Sequence, residues 1–160
     1  MMYLYFLVEL LTHSLQSAYI RSTRYNSIDE IIYIAENHGI QIVYEYTENT
    51  DLLGYYSENT HSITMCNAPQ NTDQYTDLNE ETLRHELLHA IQHCKGNYNN
   101  YVLVTDSAKI NECLSYELVD KKFIDSHTPE KMRVFEYEAY CLENTVSYDF
   151  LAEQIDKYCR

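Results

Sequence analysis

The stretch TLRHELLHAIQHC, residues 82–94, decides how the rest of the chain is read. At about 100° per residue, Leu83, Leu87, Leu88, Ala90, Ile91 and Cys94 gather on one side of a helix. His85, Glu86 and His89 gather on the other. A helix so divided packs its apolar side on a core and turns its histidine side into a cleft. His85 and His89 stand four residues apart, so their rings face the same way and can share one metal ion. Glu86, beside them in the H-E-x-x-H order, suits a general base acting on a metal-bound water. His93 lies two further turns from His85, about 12 Å along the axis. It is expected to be exposed or to support a ligand rather than to join the same ion. Cys94 is expected to be a small apolar core residue.

Outward from this helix, SIDEIIYIAENHG (27–39) reads as a helix. Ser27 and Glu30 make a capping box, Ile28, Ile31, Ile32 and Ala35 form an apolar face, and Gly39 ends it. IQIVYEYT (40–47) alternates and is rich in β-branched and aromatic residues, which predicts a strand. LLGYYS and HSITMC flank ENT and predict a hairpin, followed by a polar loop at 67–77. Further helices are expected over about 78–95, 106–123 and 128–151, the last capped by Thr128 with Pro129 in its first turn. The apolar start MMYLYFLVELL carries Glu9 and no basic lead, so it reads as a core helix rather than a signal peptide or a membrane span. Strands followed by helices imply an α+β fold with a small antiparallel sheet, in one domain over 1–160.

The net charge of −14 sets the chain against phosphate backbones and anionic lipids, so neither nucleic acid nor membrane is expected as a partner. Five cysteines, an odd number with no C-x-x-C pair, suggest reduced thiols and a cytoplasmic location, with secretion the weaker alternative.

A zinc held by two histidines needs a third ligand. The pattern that would supply it locally needs Gly at 92 and His at 95, where the chain has Gln92 and Lys95. A downstream carboxylate is the other solution. Glu112 in KINECLS is one candidate; Glu136, Glu138 and Glu143 in FEYEAYCLE are others, and His127 is available too. All three glutamates of the second cluster sit on the shoulder of their helix, and the helical wheel does not separate them.

With these motifs in view, the chain resembles a zincin metallopeptidase of the gluzincin kind. HELLHAIQHCKG is similar to the active helix of the mitochondrial proteases that process an ATP synthase subunit, and to small zincin-like proteins of bacteria and phages. In the latter an E-x-E-A helix follows, and its Glu before Ala is the ligand. The resemblance therefore nominates Glu138 beside His85 and His89, with Glu86 as the base. NECLS resembles the N-E-x-x-S stretch of thermolysin-like proteases, which nominates Glu112, although Tyr116 stands where those enzymes carry Asp. The resemblance implies a zinc peptidase acting on a peptide or protein. A further donor would stabilise the developing oxyanion, and Tyr140 and Tyr148 on the helix expected over 128–151 are candidates. It also implies that the strand at 61–66 lies at the sheet edge and pairs with substrate. The alternative is an inactive zinc-binding or protein-interaction domain.

Overall fold

The computed structural model describes residues 25–49, 51–96, 103, 113 and 121–160. The elements are α1 (Ile28–Asn37), β1 (Gln41–Glu45), β2 (Gly54–Ser57), β3 (Ser62–Cys66), α2 (Asp77–Gly96), α3 (Lys121–His127), α4 (Arg133–Leu142) and α5 (Tyr148–Tyr158). The architecture is α+β: a three-stranded sheet against which α2 packs, with α4 and α5 on the same helix. The expected N-terminal helix and Glu112 lie outside the described residues, as does most of the helix expected over 106–123.

Local signals produce the first elements. The Ser27 hydroxyl accepts from the Glu30 amide while the Glu30 side chain accepts from the Ser27 amide, so α1 begins with a complete capping box. Gly39, at φ +82, makes the left-handed step that ends the helix and starts β1.

The sheet is mixed rather than antiparallel. β2 and β3 form the antiparallel hairpin, with Tyr56 opposite Ile63, but β3 then runs parallel to β1, with Ile42 opposite Ile63. The order is β1-β3-β2. The hairpin inserts its second strand into the middle because that strand has the most to hide. All five residues of β3 are buried, whereas β1 and β2 each keep exposed or half-buried positions. The strand expected at the edge is thus the central one, and β2 is an edge strand.

Helix α2 behaves as its periodicity requires. Leu83, Leu87, Leu88, Ala90 and Ile91 are fully buried and join Ile63 and Met65 of β3, Ile31 and Ala35 of α1, Ala139 of α4 and Leu151 and Ile155 of α5 in one core. At about 25 cal/mol per Å² of apolar area removed from water, such a cluster is the main source of stability. Gly54 lets β2 lie close across α2: a Cβ there would stand 2.9 Å from Thr82 Cγ2 and 3.0 Å from the Thr64 carbonyl oxygen.

The helix expected over 128–151 is broken. A short 3-10 turn at Glu130–Met132 leads into α4, the chain leaves the helix after Leu142, and Ser147 caps α5 by accepting from the Phe150 amide. Asn144-Thr145-Val146-Ser147 has the composition for this, since short hydroxyl and amide side chains compete for backbone groups. The Thr145 hydroxyl donates to the Cys141 carbonyl. Arg84 of α2 donates to the carbonyls of Glu143 and Val146, which satisfies the frayed end of α4 and docks it on α2.

Four of the five cysteines are paired. Cys94 is bonded to Cys159 and Cys113 to Cys141, while Cys66 is free and buried. The reduced thiols expected from the odd count are not what the structure has: parity only requires one thiol to be left over, and Cys66 is that one. Cys94 packs, half-buried, against the core as expected, and its disulfide also ties the end of α2 to the residue that follows α5. Among the described residues no helix is long and apolar enough to cross a membrane.

Candidate metal centre

His85 and His89 sit one turn apart on α2, and their rings meet edge to face with centroids 4.7 Å apart. Each ring is held by its Nδ1. His85 Nδ1–H donates to Glu143 Oε2 at 2.6 Å, and His89 Nδ1–H donates to Gln92 Oε1 at 2.9 Å. Gln92 is itself fixed, because its Nε2 donates to Glu138 Oε2 at 2.9 Å and to the Phe135 carbonyl at 3.2 Å. With both Nδ1 positions committed, the two Nε2 atoms are left as the metal-binding nitrogens, and they converge to 3.0 Å.

Glu136 completes the group. Its Oε2 lies 3.4 Å from His85 Nε2 and 3.5 Å from His89 Nε2. His85, His89 and Glu136 could together hold a metal ion. Glu138, nominated from the resemblance, is elsewhere: it is fully buried behind Gln92. Successive helical residues point about 100° apart. With α4 docked by Arg84, position 136 faces the histidines and position 138 faces the core. Glu143, the third member of the cluster, orients His85. His127 is exposed and bonds Ser126.

Bringing three donors together without a cation shifts their protons. Burial disfavours charge on His85, but hydrogen bonds to the Glu136 and Glu143 carboxylates outweigh it and push its pKa up to about 10. Burial opposes charge on Glu136 as well, yet the two imidazoles hold its carboxyl below the ordinary carboxylate range. A metal ion must therefore displace a proton from His85. The proton competes at any pH below about 10, so apparent metal affinity is expected to rise with pH by up to ~10-fold per unit toward that value and then level. Calorimetric titration in buffers of different ionisation enthalpy should count about one proton released per ion bound near neutral pH. No proton release and a flat affinity profile would contradict this.

The sequence offers Glu143 as a candidate ligand rather than as the partner of one, and gives Gln92 no role. Gln92, three residues past His89 on the same helix, could have been found from spacing alone. Glu143 needs knowledge of where α4 ends. Removing such partners typically costs about 10–100-fold in metal affinity. That loss is expected for Glu143→Gln, which keeps the shape but weakens the charge-assisted bond, and for Gln92→Leu, each measured by competition with a chromophoric chelator.

The three donors open onto a cleft. Gly54, Tyr55 and Tyr56 of β2 form one wall, and Met132, Phe135 and Tyr140 another. Glu86 borders this space, is 8% exposed, and makes no hydrogen bond to a described residue. Tyr140 packs edge to face on His85 at 4.5 Å between centroids, and burial pushes its phenol pKa up, so it stays a neutral donor. Tyr148 points away and donates to Glu80 under the Arg84 guanidinium. His93 is half-buried on the cleft wall, with its Nδ1 2.7 Å from the Tyr56 hydroxyl, and takes no part in the three-donor group.

No family model matches the chain, and no curated protein or solved structure shows significant similarity to it.

Proposed function

We propose that the chain is a zinc-dependent peptidase. The observation that carries this reading is the convergence of His85 Nε2, His89 Nε2 and Glu136 Oε2 in a cleft, with Glu86, which has no hydrogen-bond partner among the described residues, beside them. The separations of 3.0, 3.4 and 3.5 Å suit zinc. Tetrahedral bonds of 2.0–2.1 Å require donor–donor edges of about 3.3 Å. Two imidazoles and one carboxylate are a donor set that zinc favours. A closed structural site takes four protein donors; three converge among the described residues, which favours a catalytic site with one open position.

When bound, zinc would supply a Lewis acid and lower the pKa of a water at that position to about 7. The chain's own groups do the rest. Glu86, held against Gly54 by the close packing of β2 on α2, accepts the proton of the attacking water and hands it to the leaving nitrogen. The Tyr140 phenol donates to the carbonyl oxygen as charge develops there. Glu143 and Gln92 keep the two rings in the tautomer that leaves Nε2 free. The edge strand β2, in place of residues 61–66, offers backbone groups to an extended substrate by strand addition. The two disulfides favour an oxidising compartment over the cytoplasm.

The test is metal content and turnover on one preparation. Elemental analysis should find one zinc per chain, a quenched fluorescent peptide library should be hydrolysed, and a chelator should stop the hydrolysis until zinc is restored. Bound zinc without hydrolysis of any peptide would leave a zinc-binding domain and end the peptidase reading.

A further inference from the structure

Past the three donors, toward the N-terminal half of α2, the cleft continues into a second lobe. Leu52, Leu53 and Leu78 line it, and they stand 37%, 38% and 49% exposed. Large apolar side chains left facing solvent side by side mark a surface that something covers. The rest of the lobe is acidic. Asp51, Glu81 and Glu143 contribute carboxylates, and no Lys or Arg is among the lining residues. Glu86 borders this lobe as well as the first one, more than nine-tenths buried and without a hydrogen-bond partner among the described residues. A buried carboxyl group without such a partner keeps hydrogen-bonding capacity that a ligand in the cleft can meet.

The carboxylates differ in what they still have to offer. Glu143 is committed to His85. Glu81, half-buried, accepts a bond from Asn144 and shares a second with the Glu143 carboxyl, and Asp51 is exposed at the rim. The start of α2 carries a partial positive charge of about half a unit, which would disfavour a cation nearby. Asp77 and Glu80 in its first turn oppose that charge.

We propose that this lobe is the subsite for a lysine or arginine side chain of the substrate, next to the bond that is cut. The proposal rests on the peptidase reading and names its substrate class: peptides with a basic residue adjoining the scissile bond. A long cationic side chain fits both halves of the lining, its methylene stem on Leu52, Leu53 and Leu78 and its charged head at Asp51 and Glu81. A wholly apolar side chain would cover the leucines but strip water from the carboxylates. An acidic one would be repelled.

Binding and cleavage are read separately. Fluorescein-labelled peptides of one Gly/Ser scaffold, with a central Lys, norleucine or Glu, are titrated against the full chain in the presence of a chelator and followed by anisotropy. The Lys peptide is expected to bind about tenfold more tightly than the norleucine peptide, and the Glu peptide most weakly. The double variant Asp51→Asn/Glu81→Gln should bring Lys and norleucine to within about twofold. Glu36→Gln/Glu153→Gln removes the same charge from exposed positions on α1 and α5 and should keep the preference. No preference for Lys in the wild-type chain, or a preference lost equally in both double variants, would overturn the subsite, the second because bulk charge then explains it. The same peptides with zinc added test the other reading. A Lys preference in binding without cleavage keeps the subsite and removes the peptidase; cleavage without a Lys preference does the reverse.

Discussion

Glu86→Gln is expected to keep one metal ion per chain and to lower peptide hydrolysis by about 10²–10⁴-fold. Glutamine has the size of glutamate, so the packing of Gly54 against this position is preserved. The residue is not one of the three donors, so affinity for the ion should change little. What is lost is a base. An amide cannot take the proton of the attacking water or pass one to the departing nitrogen. Elemental analysis and initial rates on the same fluorogenic peptide separate the two properties. Wild-type turnover in a metal-loaded Glu86→Gln chain would remove Glu86 from the chemistry.

Glu136→Ala and Glu138→Ala should fail in opposite ways. Glu136 keeps a 27% exposed side chain at the cleft floor and bonds both histidines, so its removal takes away a donor and leaves the core intact. The affinity loss should exceed the 10–100-fold expected for the partners behind the ligands. Glu138 is fully buried, and its loss leaves a cavity and takes an acceptor from Gln92 Nε2. An unsatisfied buried donor alone costs about 1–3 kcal/mol. Glu138→Ala should therefore melt at a visibly lower temperature while binding metal within the outer-partner range. Thermal denaturation and chelator competition on both variants decide the matter. Collapse of metal binding in Glu138→Ala with full binding in Glu136→Ala would restore the assignment drawn from the E-x-E-A resemblance.

The fate of these two glutamates shows where sequence reasoning stops. The histidine face of α2 is legible because helical periodicity is local: four residues of spacing and a clean apolar side settle which way His85, Glu86 and His89 point. Choosing among Glu136, Glu138 and Glu143 is a question about how α4 crosses α2. That crossing depends on Arg84 reaching carbonyls some sixty residues away. The hint that α4 ends near residue 143 was present in Asn144-Thr145-Val146-Ser147, a run of cap-forming and β-branched residues, yet apolar spacing from Met132 to Val146 reads straight through it. The sheet shows the same division. Each strand is visible in its own composition, but strand order is a long-range choice, made by burying β3 on both sides. Cysteine pairing is long-range too, since a count constrains how many thiols are left and not which ones meet.

The Cys94–Cys159 link gives the last residues of the chain an importance their position hides. Stopping the polypeptide at Tyr158 would remove no part of the cleft, yet it would open a covalent ring that spans 65 residues and encloses α2's end, α4 and α5. Closing a ring of that size restricts the unfolded chain by about 4 kcal/mol, comparable with much of a small domain's net stability. Trimming those two residues, or growing the protein where thiols stay reduced, would thus weaken the scaffold on which the histidines are mounted without touching either of them.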